Sequence, residues 1–188
     1  MTGITSQLRL AAAVQALRAG GVIACPTEAV WGLSCDPDSE QAVGRLLALK
    51  GRPVAKGLIL VAASESQLGF LLNDLPPEQR QLLAGSWPGP NTWLVPHHNR
   101  VKPWVHGAHA TVAVRVSAHP VVAQLCRAWG GPLVSTSANP AGAQPPREAF
   151  QVWRYFGGEL DSILPGRVGK SDRPSQIRDL ASAEIVRA

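Results

Sequence analysis

Five short apolar runs alternate with segments of helical spacing along the whole chain: VIAC (22–25), GLILVA (57–62), TWLVP (92–96), TVAVRVS (111–117) and PLVSTSAN (132–139). Each has strand length. The segments between them read as helices. SQLRLAAAVQALRAGG closes on Gly20 and Gly21, and SEQAVGRLLALKG starts on Ser39 as N-cap and ends at Gly51. SESQLGFLLND, PPEQRQLLAG, HPVVAQLCRAWGG and REAFQVWRYFGG follow the same pattern. A chain that mixes the two elements throughout must bury sheet against helix. That predicts one α/β or α+β domain, residues 1–188, around a mixed sheet. Within TVAVRVS, alternation puts Thr111, Ala113 and Arg115 on one face and Val112, Val114 and Val116 on the other. WPGP (87–90) reads as a turn anchored by Trp87, and the tail from Pro165 is turn-rich with short strand-like pieces.

The chain is 188 residues long, 45% hydrophobic and 16% charged, enough for a sizeable core, and no repeat or low-complexity linker divides it. The net charge of +5 is unevenly placed. Residues 1–94 carry seven Lys/Arg against seven Asp/Glu, and residues 95–188 carry eleven against six. A basic half suits an anionic ligand such as a nucleotide or RNA, and it equally suits a basic domain with no nucleic-acid role. The cysteines Cys25, Cys35 and Cys126 are odd in number and lack CxxC spacing, which speaks against a disulfide framework and a zinc knuckle and for a reducing compartment. The first helix does not have the make-up of a signal peptide, and no apolar run approaches the roughly 18 residues of a membrane span. The expected location is the cytoplasm.

Several chemical motifs fail on inspection. GKS at 169–171 ends like a phosphate-binding loop, but Leu164 stands where that loop needs glycine. GSWPG (85–89) has its serine one place too early for a nucleophile elbow, and no GxGxxG occurs. His97, His98, His106 and His109 crowd one segment, yet no cysteine or carboxylate completes a zinc set there and Arg100 and Lys102 are poor neighbours for a cation. A solvated or mobile loop is the expectation. Cys25 before Pro26 reads as a nucleophile or, more commonly, as a small buried hydrophobe.

Two stretches remain. In LALKGRPVAKGLIL (47–60), Lys50, Arg52 and Lys56 fall within seven residues with no acid among them, on a loop stiffened by Pro53. A cation at a helix C-terminus favours the macrodipole, which accounts for Lys50 but not for the two beyond the helix. A stiff cluster of cations suits a polyphosphate, with arginine offering a planar fork and lysine a point charge. In VSTSANPAG (134–142), Ser135, Thr136, Ser137 and Asn139 follow an apolar strand. Such side chains serve either phosphate oxygens and a magnesium shell or a capped turn.

PTEAVWGL (26–33), KGR (50–52) with a following lysine, WPGP (87–90), TVAVR (111–115) and STSAN (135–139), in this order, resemble the YrdC-type threonylcarbamoyl-AMP synthases of the YrdC/Sua5 family in their short bacterial form. The resemblance spans nearly the whole chain, with the Lys-x-Arg and Ser-x-Asn signatures at Lys50/Arg52 and Ser137/Asn139. It implies a YrdC-like domain whose twisted mixed parallel and antiparallel sheet, flanked by helices, holds a concave basic cavity. It implies that L-threonine, bicarbonate or CO2 and ATP give threonylcarbamoyl-AMP and pyrophosphate, for the N6-threonylcarbamoyladenosine (t6A37) modification of tRNAs that read ANN codons. ATP and Mg2+, carried by the nucleotide, are implied, with no organic cofactor and no protein side chain assigned to the metal. Lys50 and Arg52 are the implied catalytic pair. Lys50, Arg52, Lys56, Thr111, Ser135, Ser137, Asn139 and Arg187 are the implied ATP contacts. Thr27, Arg115 and Ser175 are the implied threonine contacts, with Arg115 facing the carboxylate. A tRNA threonylcarbamoyl-transferase complex is the implied recipient of the product, and contact with tRNA or double-stranded RNA is a further implication. No membrane partner is expected.

The chain departs from the common family form at Ala29 and Trp31, where a threonine and a tyrosine are usual. PSQIRD (174–179) matches the family's piece only loosely, which bears on Ser175 and Arg187. The rival reading is a non-catalytic double-stranded RNA or tRNA-binding module. A carbamoyl-transfer domain of the hydrogenase-maturation type shares the fold but belongs to much longer chains with zinc-finger segments.

Overall fold

The computed structural model describes residues 2–172 and 175–187. Pro174 of the PSQIRD segment and the two ends of the expected 1–188 domain lie outside them. The helices are α1 (Thr2–Arg18), α2 (Glu40–Lys50), α3 (Gly69–Leu72), α4 (Pro77–Ala84), α5 (Pro103–His106), α6 (Pro120–Trp129) and α7 (Ala149–Phe156). The strands are β1 (Ile23–Pro26), β2 (Trp31–Ser34), β3 (Ile59–Ala62), β4 (Asn91–Pro96), β5 (Thr111–Val116), β6 (Leu133–Ser137), β7 (Ser162–Ile163), β8 (Gln176–Asp179) and β9 (Ile185–Arg187). The local signals act as expected on α2. Ser39 Oγ accepts from the Ala42 amide, and Gly51 closes the helix in the left-handed region at φ +60°. Three elements lacked a sequence signal. β2 is WGLS, with no turn residue to mark its start, while β7 and α5 are too short to show a period.

Among the described residues the strands form one mixed sheet in the order β7-β1-β2-β6-β3-β5-β4-β8-β9. β3 pairs parallel with β5 and antiparallel with β6, and β6 passes on to β2 through Gly32 opposite Ser137. The period of two sorts the apolar runs onto two faces. Ile23, Cys25, Val61 and Leu133 join Val14, Leu17, Val122 and Leu125 of α1 and α6 in one cluster. Ala24, Leu60, Ala62 and Val134 join Val43 and Leu46 of α2, with Trp31 and Trp93, in the other. Both faces being covered explains why β1 and β3 are apolar at every position. Among the described residues no helix is long and apolar enough to cross a membrane.

Candidate active site

The helix-covered face of the sheet changes character within one strand. On β6, Leu133 packs in the α1–α6 core, and the next residues on that face, Ser135 and Ser137, line a cavity of about 880 Å3. On β3, Val61 is core and Ile59, two residues earlier, lines the cavity. Ala113, opposite Ile59, and Arg115, opposite Val61, continue the wall on β5. The volume falls within the roughly 300–1,000 Å3 usual for a small-molecule site.

Nine of the eleven residues expected at the site line this cavity: Thr27, Arg52, Lys56, Thr111, Arg115, Ser135, Ser137, Ser175 and Arg187. Lys50 and Asn139 do not; they stand behind the wall. Lys50 is 5% exposed, and its ammonium donates to the carbonyls of Ser137 and of Asn139, the latter at 2.7 Å. Ala141 N donates back to the Lys50 carbonyl at 2.7 Å, so the end of α2 and the 137–141 loop are laced together. Burial, then the Arg52 charge, lowers the Lys50 pKa to about 8. The Asn139 amide donates to the carbonyls of Pro140 (3.0 Å) and Ala143 (2.8 Å) and shapes its own loop.

The loop after α2 is bound up by its own cation. Arg52 N donates to Leu47 O at 3.0 Å, and its guanidinium donates to the carbonyls of Gly57 (2.8 Å) and Lys56 (3.3 Å). Arg187 donates to Ser175 O at 3.5 Å, and Thr92 Oγ1 shares a hydrogen bond with Ser175 Oγ at 2.8 Å. Burial holds Arg52 and Arg187 below the ordinary guanidinium value, with Arg187 acting on Arg52 and Arg115 acting on Arg187. Four cations, Arg52, Lys56, Arg115 and Arg187, against the single lining carboxylate of Glu28 leave the cavity wall net positive, which suits an anion.

The histidine segment is solvated only in part: His98 and His109 are exposed, while His97 and His106 are packed. His97 is 6% exposed, its Nδ1 accepts from Asn99 N at 3.1 Å, and its Nε2 donates to His109 O at 3.1 Å. Its ring stacks on His106 with centroids 3.9 Å apart. The segment braces the loop that carries Arg52 and Lys56. Leu58 N donates to Val105 O at 2.8 Å and Ala108 N to Ala55 O at 3.2 Å. Gly107 sits at φ +65°, where a Cβ would meet Val54 O at 2.6 Å and Ala55 O at 2.7 Å, so backbone lies on backbone there. Cys25 is the buried hydrophobe, not the nucleophile: burial pushes its thiol pKa up to about 12.

A model of the Sua5/YciO/YrdC family, described as "Telomere recombination", matches residues 15–188. The chain belongs to that family. A threonylcarbamoyl-AMP synthase of Saccharophagus degradans is 59% identical over 180 residues, covering 96% of this chain and 94% of that protein. The synthase of Pseudomonas aeruginosa is 58% identical over 182 residues, covering 97% and 98%. The structure of P. abyssi Sua5 complexed with L-threonine superposes with a TM-score of 0.85 at 34% identity. The match covers 92% of this chain and 51% of the longer Sua5 chain.

Residues outside the eleven expected contacts also line the cavity, among them Glu28, Gly32, His106 and His109. Gly32 lies where Thr27, Ser135 and Thr136 converge, since a Cβ there would meet Thr27 Cγ2 at 3.1 Å and Thr136 O at 3.3 Å. Glu28 lay in plain view inside PTEAVWGL, and an acid within a YrdC-type basic cavity was its signal.

Proposed function

We propose that the cavity is where L-threonine, bicarbonate or CO2 and ATP become threonylcarbamoyl-AMP and pyrophosphate, and that the chain acts as a single YrdC-like domain, residues 1–188. The chain works as a threonylcarbamoyl-AMP synthase, in line with relatives that match it over nearly their whole length. The observation that carries the reading is the convergence in one cavity of Arg52, Lys56, Arg115 and Arg187 with the hydroxyls of Thr111, Ser135 and Ser137. The rival reading, an RNA-binding module without catalysis, is not the one these relatives favour.

Threonine's neutral amine adds to CO2 to give a carbamate and a proton. A carbamate oxygen then bonds to the α-phosphorus as the bond to pyrophosphate breaks. Such a transfer needs positioning and charge stabilisation and no enzyme nucleophile. Arg52 and Lys56 offset charge on the triphosphate and the departing pyrophosphate. Ser135, Ser137, Thr111 and Arg187 hold the nucleotide, while Thr27, Ser175 and Arg115 hold threonine, Arg115 at its carboxylate. Lys50 and Asn139 serve ATP by fixing the strand end that presents Ser137, and Lys50 reaches a phosphate only by leaving the two carbonyls it now holds.

Magnesium fits this wall as an ion borne by the nucleotide. It favours oxygen donors and usually takes one or two carboxylates, and here the wall offers hydroxyls while its acid, Glu28, is engaged by Arg115. Bound, the ion neutralises phosphate charge. The product serves t6A37 formation in the cytoplasm, handed to a tRNA threonylcarbamoyl-transferase complex, with tRNA approaching the cations of the 95–188 half.

The test is pyrophosphate release by the purified protein with ATP, magnesium and bicarbonate, with and without L-threonine. Release depends on threonine, and Arg52→Ala lowers it about a hundredfold or more while the fold is retained. Release that ignores threonine, or survives Arg52→Ala, would sink the reading.

A further inference from the structure

Glu28 is the one acid among the described residues that line the cavity, and it sits among cations. It is 8% exposed, in the turn between β1 and β2. Its Oε1 accepts from Ser117 Oγ at 2.6 Å and from Ala118 N at 3.1 Å. Its Oε2 lies 3.4 Å from Arg115 Nη1 and receives no hydrogen bond within the protein. The backbone is held as firmly. Gly169 N donates to Thr27 O at 2.9 Å and Ser171 N to Glu28 O at 3.1 Å, and a Cβ on Gly169 would meet Glu28 O at 2.7 Å. His119 faces the same carboxylate, its amide donating to Ser117 Oγ at 3.1 Å and its Nε2 to Arg167 O at 3.0 Å. Burial pushes the Glu28 pKa up, but Arg115 and the Ser117 hydroxyl outweigh it and hold the group ionised.

A cavity meant only for a triphosphate and a carboxylate would gain from having no buried anion. The acid is useful to a ligand that carries a cation beside its carboxylate. An α-amino acid has its ammonium and carboxylate on the same carbon, and Arg115 beside Glu28 offers the opposite charges at short range. We propose that Glu28 makes the cavity select a zwitterionic α-amino acid over the α-hydroxy acid of the same shape. Arg115 attracts the carboxylate of either ligand. Glu28 weakens the hold on a net anion and restores it when an ammonium is present. It acts through Arg115 and through its field, so it is a positioning and specificity-determining residue rather than a catalytic one. The inference rests on the reading of Arg115 as the threonine carboxylate site.

The experiment is calorimetric binding of L-threonine and of 2,3-dihydroxybutanoate of the same configuration to the wild type, Glu28→Gln, Glu28→Asp and Arg115→Ala. The wild type should prefer threonine by about tenfold or more, and Glu28→Gln should collapse that ratio towards unity by weakening threonine and not the hydroxy acid. Glu28→Asp keeps the charge and should keep the preference in part, which carries the test if Glu28→Gln does not fold. An unchanged ratio in Glu28→Gln, or equal weakening of both ligands, would overturn the inference while leaving the threonine site standing. Threonine binding that survives Arg115→Ala undiminished would instead remove the site assignment, and the inference with it.

Discussion

Lys50 shows how one residue can match a motif and still take another place. Its ammonium is turned into the protein, bonded to the carbonyls of Ser137 and Asn139, and not out to the cavity. Its folded pKa of about 8 lies below the 10.5 of an unburied lysine. Between these values the unfolded chain binds a proton that the folded one does not, so the contribution of Lys50 to stability rises with pH from about 8 to 10.5 and is lowest below 8. Urea unfolding across that window checks this: the wild type should gain stability relative to Lys50→Met as pH rises. A flat difference would mean that Lys50 stays charged in the fold. The motif made Lys50 legible as important. Its direction was not, because the carbonyls it bonds are 87 and 89 residues away.

At the level of elements, the site depends on one segment bracing another. The 54–57 turn carries Lys56 and accepts the Arg52 fork, and the end of α5 holds it from outside through Val105 and Ala108. Gly107 is where the two backbones meet, at a positive φ. Gly107→Ala should displace the turn and weaken ATP binding about tenfold or more, with threonine binding at Arg115 little changed. Equal loss of both ligands would instead mean general unfolding. The helix ends and the apolar strands were readable because caps and period are local. β2 and the histidine packing were not. β2 is a strand because β1 and β6 pair on either side of it, and His97 is buried because His106 stacks on it.

For the molecule as a whole, the excess charge of the 95–188 half is used in two ways. Arg115 is buried and paired, whereas other cations of that half lie exposed. On the proposed tRNA contact, affinity for tRNA should fall steeply with salt, while threonine affinity should change little over the same range, as titrations of both from low to physiological salt would show. A shallow tRNA slope would indicate that these exposed cations do not meet the phosphate backbone. The chain by itself determined the α/β class, most elements and the identities of the cavity's cations and hydroxyls, since these follow from period, capping and motif order along neighbouring residues. The folded sheet alone decided that Glu28 meets Arg115 and Ser117, that Lys50 turns inward, and that His106 and His109 line the cavity with His97 stacked behind His106. Those outcomes depend on strand order and register, which bring together groups far apart in the chain and are not encoded in any local pattern.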